Sequence, residues 1–114
     1  MTTFVLVHGS YQGGWIWLPV ATRLRAAGHV VYAPSLDGCG ERKGAMRPGI
    51  TTETQADDIA QLIFYEDMKD IVLVGTSSGG MVACGVAELM RERINRLVLV
   101  DALALFSEIG RAHV

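Results

Sequence analysis

The sequence has few cysteines, few histidines, no charge excess and no long apolar run, and each shortage excludes something. Its two cysteines, Cys39 and Cys84, have no metal-like spacing and no histidine beside them. That argues against a disulfide framework or a zinc site and for reduced thiols in a cytoplasmic protein. Ten basic against twelve acidic residues give a net charge of −2, which leaves no basic surface for nucleic acid or anionic lipid. No apolar stretch approaches the roughly 20 residues of a membrane span. The opening MTTFVLVHGS lacks the basic n-region of a signal peptide. Internal repeats and low-complexity segments are also missing. What remains is apolar: half of the 114 residues are hydrophobic and 19% charged, the composition of one globular domain.

The apolar residues are grouped in short runs. Phe4–Val7, Val30–Tyr32, Ile71–Val74 and Leu97–Val100 are continuous rather than alternating, as in strands covered on both faces of a parallel sheet. Helical stripes lie between them. Trp17, Val20, Ala21, Leu24 and Ala27 form one, with Pro19 near its start and Gly28 as its stop. Ala56, Ile59, Ala60 and Ile63 form a second, opened by a capping-box pattern from Thr52 to Gln55. Val82, Gly85, Val86 and Leu89 form a third. Alternating strand and helix predicts right-handed βαβ units in an α/β/α sandwich with a parallel sheet. The long loop from Ser35 to Thr51 carries Arg42, Lys43 and Arg47 and reads as a solvated basic loop rather than an anion site.

Chemistry is concentrated in DIVLVGTSSGGMVACG, Asp70 to Gly85. Gly75-Thr76-Ser77-Ser78-Gly79 has the form G-x-S-x-G, behind a strand and ahead of a helix, which is the setting of a nucleophile elbow. On so sharp a turn the positions two before and two after the nucleophile crowd together and favour having no side chain. Ser77 has Gly75 and Gly79 at those positions, whereas Ser78 has Thr76 two before it. Ser77 is therefore the candidate nucleophile. The Ser78 backbone N–H, at the first turn of the helix, suits a developing oxyanion. A second donor is expected from the loop VHGSYQGGW after the first strand. A dinucleotide fingerprint fails on context: Met81 stands where its last glycine is required, and the turn follows the third strand rather than the first.

FVLVHGSYQGGWIW, AAGHVVYAPSLDGCG and VLVGTSSGGM together resemble the α/β-hydrolase superfamily over residues 3–104. Within it they resemble the compact branch of plant methyl-ester esterases, hydroxynitrile lyases and related bacterial esterases. The resemblance implies a truncated α/β-hydrolase fold holding the third to sixth strands, with the site above the strand ends. It assigns the oxyanion N–H groups to Ser10 and Ser78. Hydroxynitrile lyases of this branch carry threonine where this chain has Gly9, which favours ester hydrolysis. The usual Asp-x-x-Gly-x-Gly after the next strand begins here with Ser35. Tyr11, and with it Trp15, are candidates for substrate-pocket walls. Small carboxylic esters are the expected substrates, with no metal or organic cofactor; a lyase or a non-catalytic ligand-binding protein are the alternatives.

A serine nucleophile needs a histidine and an acid, and there are only three histidines: His8, His29 and His113. His8 is expected to hold the backbone of the oxyanion loop, and His29 begins a strand. Ser77–Asp101–His113 has the right chain order, but no room remains after Val100 for the strands that carry acid and base in the resembled fold. Asp101 is expected to line the end of its own strand. Ile109–Val114 is what ATC GGA AGA GCA CAC GTC encodes, the opening of a widely used sequencing adapter. Residues 1–107 are accordingly expected to be the N-terminal part of a hydrolase domain, residues 108–114 a non-native tail, and the chain alone inactive.

Overall fold

A computed structural model describes residues 1–103. The 108–114 tail and His113 lie outside them. Four parallel strands, β1 (Thr3–Val7), β2 (Val30–Tyr32), β3 (Ile71–Ser77) and β4 (Ile94–Ala102), form one sheet in the order β2-β1-β3-β4. The helices α1 (Leu18–Ala26), α2 (Thr52–Tyr65) and α3 (Gly79–Leu89) connect them.

Alternation along the central strands builds the layers. Val5, Val7, Ile71 and Leu73 pack with Ile59 and Ile63 of α2 and Val82 and Val86 of α3. Leu6 and Val74 point to the other face, against Trp17 and Ala21. Successive side chains of a strand leave on opposite faces, so a continuous apolar run feeds two cores. The result is the three-layer α/β/α sandwich expected.

Several details differ from expectation. Only Trp17, Ala21 and Leu24 of the first stripe face the sheet, while Val20 is exposed, and Leu89 at the end of α3 is exposed as well. The N-cap of α2 is Thr51, one residue earlier than expected: Thr51 is extended, its side chain accepts from the Thr54 N–H, and the Thr54 hydroxyl accepts from the Thr51 N–H. Threonine thus takes the part expected of Gln55, whose amide instead reaches the Asp37 carbonyl. The strand β3 runs past its apolar core because ladder pairing continues through Gly75↔Leu99, Thr76↔Val100 and Ser77↔Ala102, and β4 starts before its own core because Ile94 and Arg96 already pair with Ile71 and Val72.

The basic loop is not simply solvated. Arg47 makes a two-pronged bond to Asp37 at 2.7 and 3.1 Å, and Arg42 bonds Asp58 at 2.7 Å and the Ser35 carbonyl. Asp37 and Ser35 belong to the same loop, whereas Asp58 is supplied by α2 and reaches Arg42 only in the folded chain. Pairing with Arg47 holds the Asp37 carboxyl below its ordinary range.

Candidate active site

Ser77, at the end of β3, is one of five non-glycine residues among those described with a left-handed φ. Ser77 has φ 53°, a left-handed conformation that costs a non-glycine residue about 1–3 kcal/mol. The turn projects the Ser77 side chain outward, exposed at the carboxyl end of the sheet. Its flanking glycines are there for space. A Cβ on Gly79 would lie 2.2 Å from the His8 carbonyl oxygen, and one on Gly75 would lie 2.9 Å from both Ala83 Cβ and the Gly79 oxygen. Gly80 is a third such position, with Leu103 O 2.1 Å from its would-be Cβ; nothing in the motif singled it out.

Two neighbouring segments frame Ser77. At the end of β4, Ser77 pairs with Ala102 while Thr76 pairs with Val100, so Asp101 is bulged out of the ladder at φ 47°. The Leu103 N–H donates to the Ser77 carbonyl at 2.9 Å. On the other side runs the loop after β1. A Cβ on Gly9 would meet Ser77 Cβ at 2.9 Å and Ser77 Oγ at 3.3 Å, so Gly9 keeps the flank of the Ser77 side chain open.

His8 anchors that loop. The Leu36 N–H donates to its Nε2 at 2.8 Å, and Nδ1 lies 2.7 Å from the Gly9 carbonyl. Because a backbone N–H can only donate, Nε2 must be bare and the proton must sit on Nδ1, directed at Gly9. Burial drives the His8 pKa below its ordinary 6.5, against the opposing pull of the Gly9 bond. The folded state therefore disfavours the protonated ring. Stability from this clamp should be complete above pH 6.5 and decline as acid protonates the unfolded chain. Thermal melts between pH 5 and 8 check this, and a His8→Gln variant, whose amide can make both bonds, should show a flatter profile.

Both ring nitrogens being engaged, His8 has none left for Ser77. His29 lies before β2, at the opposite end of the parallel sheet, where its Nδ1 accepts from the Thr2 N–H. Among the described residues, no histidine can act as a base for Ser77.

Ser35, at the position where the resembled pattern has an acid, accepts the Gly14 N–H at 2.9 Å and donates to Glu41 at 2.5 Å. A carboxylate six residues away is thus wired in through a hydroxyl, and this bond lowers the Glu41 pKa. Ser10 and Ser78 lie side by side: the Ser10 N–H donates to Ser78 Oγ at 2.8 Å, and the two hydroxyls are 2.8 Å apart. Tyr11, at φ 59° and fully exposed, lines a cavity of about 450 Å³ with Ser10, Trp15, Cys39, Lys43 and Met46. A larger cavity, about 620 Å³, opens at the far end of the strands beside Lys69 and Arg96, away from Ser77. No group of three His, Cys, Asp or Glu side chains among the described residues could hold a metal, and no described helix is long and apolar enough to cross a membrane.

Ser77 is thus an exposed serine in a left-handed conformation on a strand-to-helix turn, with Gly79 and Gly80 packed closely against backbone oxygens. A model of the alpha/beta hydrolase family matches residues 4–113. The chain belongs to that family. It is 43% identical over 102 residues to a carbendazim hydrolyzing esterase of Nocardioides sp. (strain SG-4G), covering 90% of this chain and 42% of that protein. An alpha-hydroxynitrile lyase of Arabidopsis thaliana is 30% identical over 100 residues, covering 87% of this chain and 39% of the lyase. Among solved structures, an extracellular alpha/beta-hydrolase from a Paenibacillus species superposes with a TM-score of 0.85 at 37% identity, covering 93% of this chain and 43% of that one. The chain thus spans about two fifths of the length of these relatives.

Proposed function

We propose that the full-length protein is a serine hydrolase of small carboxylic esters, working through an acyl-enzyme. Ser77 Oγ attacks the ester carbonyl carbon, and its proton passes to a histidine outside the described residues. The tetrahedral oxyanion is held by the backbone N–H groups of Ser10 and Ser78. Collapse expels the alcohol, which takes the proton from that histidine, and water then releases the acid by the same route. The observation that carries this reading is Ser77 itself: a non-glycine residue held at φ 53° and exposed at the strand end. Strain of that kind persists only where the surroundings impose it, and it concentrates at functional sites.

The apolar cavity beside Ser10, walled by Tyr11 and Trp15, is the proposed seat of the substrate. No histidine among the described residues reaches Ser77, and with His113 read as part of a non-native tail the 114-residue chain alone is proposed to be inactive. Two free cysteines support a reducing, cytoplasmic location, and no cofactor is required.

The lyase among the relatives supports a second reading on the same elbow. The full-length protein assayed in parallel on p-nitrophenyl acetate and on mandelonitrile separates the two. Ester turnover without cyanide release is expected; cyanide release without ester turnover would assign the lyase. A protein that turns over neither, yet binds the same ligand before and after Ser77→Ala, would be a receptor.

A further inference from the structure

Two backbone donors follow one another at the end of β1, and both are already engaged. The Gly9 N–H is taken by Gln12 Oε1 at 2.8 Å, a side chain of the same loop. The Ser10 N–H is taken at 2.8 Å by Ser78 Oγ, 68 residues further along the chain. Ser78 is also the residue whose own N–H is the other proposed donor, so its side chain and the oxyanion compete for one place. We infer that the Ser78 hydroxyl is a displaceable latch on the oxyanion hole: at rest it occupies the Ser10 N–H, and the developing oxyanion must push it aside. This rests on the hydrolase reading of Ser77.

The energetics make the latch selective. One N–H serves one strong acceptor at a time. A neutral ester carbonyl is no better an acceptor than the serine hydroxyl, so it does not displace it. An oxyanion makes a charge-assisted bond about twice as strong as a neutral one and takes the N–H over. The displaced hydroxyl is not stranded, because Ser10 Oγ lies 2.8 Å from it and shares a hydrogen bond with it. The cost of displacement therefore falls between the bound ester and the transition state, and so on kcat rather than KM. Ser78 Oγ is a positioning group acting through the Ser10 N–H, not a catalytic one.

Removing the latch should accelerate the enzyme. A neutral hydrogen bond of ordinary net strength corresponds to about a threefold to tenfold gain in kcat for Ser78→Ala, with KM changed less than about twofold. Ser78→Cys, whose thiol accepts only weakly, should move in the same direction by less.

The test pairs amide exchange with kinetics. Hydrogen exchange at the Ser10 amide of the full-length protein should quicken about tenfold in Ser78→Ala, while the Leu36 amide, bonded to His8, stays protected and reports an intact fold. In the full-length protein the same variant should raise kcat on p-nitrophenyl acetate. Unchanged Ser10 exchange overturns the latch, since the hydroxyl then does not hold that N–H. Faster exchange with a fallen kcat also overturns it, because the hydroxyl would be donating to the oxyanion. Ester hydrolysis absent from wild type and variant alike, with exchange still responsive, refutes the hydrolase reading and reduces the contact to a structural tie.

Discussion

Ser77→Ala in the full-length protein is expected to reduce kcat for ester hydrolysis by on the order of 10⁶, the whole benefit of the nucleophile and its base. The effect should appear in kcat rather than KM, because the residue contributes to bond-making and the alanine variant keeps the pocket walls. Steady-state kinetics on p-nitrophenyl acetate measure it. Stability should move the opposite way in a companion variant. With φ at 53°, Ser77 carries left-handed strain that glycine would not, so Ser77→Gly should gain roughly 1 kcal/mol while being just as inactive. Gain of stability with loss of chemistry is what a strained functional residue predicts. A Ser77→Gly protein less stable than wild type would mean that the turn is held by the serine side chain instead.

The second large effect concerns Gly79. Its would-be Cβ falls 2.2 Å from the His8 carbonyl oxygen, and that oxygen belongs to the segment clamped through the His8 ring to Leu36 and Gly9. Neither side can yield cheaply. Gly79→Ala should destabilise the protein by about 3 kcal/mol, at the upper end of overpacking costs. It should also pull the elbow away from the oxyanion loop, and misplacement by about 1 Å costs on the order of 10² in rate. Urea melts and kinetics on the full-length protein check both. Gly44→Ala is the control: nothing lies within 4 Å of its would-be Cβ, and stability should stay within about 0.5 kcal/mol. If both variants behaved alike, the close approach at Gly79 would not be the reason for its glycine.

Much of this arrangement was legible because it is local. The apolar cores of all four strands, the sharp turn at Ser77 and the need for glycine at 75 and 79 follow from periodicity and from sterics within a few residues. The parts that escaped are long-range or degenerate. Glu41 reaches Gly14 only through Ser35, and no local pattern records a carboxylate acting through a hydroxyl. Arg42 and Arg47 read as solvated charges because Asp58 and Asp37 come to them only after folding. The α2 cap slipped by one residue because Thr51 and Thr52 are equally good caps, and Thr54 rather than Gln55 closed the box. The motif does not mark Gly80, whose need for space arises only where β4 brings the Leu103 carbonyl against it. The Ser10–Ser78 contact joins two turns 68 residues apart, each readable alone but not their meeting.

The central claim is that Ser77 is the nucleophile, and covalent labelling tests it most directly. The full-length protein is treated with a fluorophosphonate, digested, and the modified residue located by mass spectrometry. The account predicts a single adduct on Ser77, formed in step with loss of ester hydrolysis and absent from Ser77→Ala. An adduct on another residue, or ester hydrolysis that survives the probe with Ser77 unmodified, would contradict it.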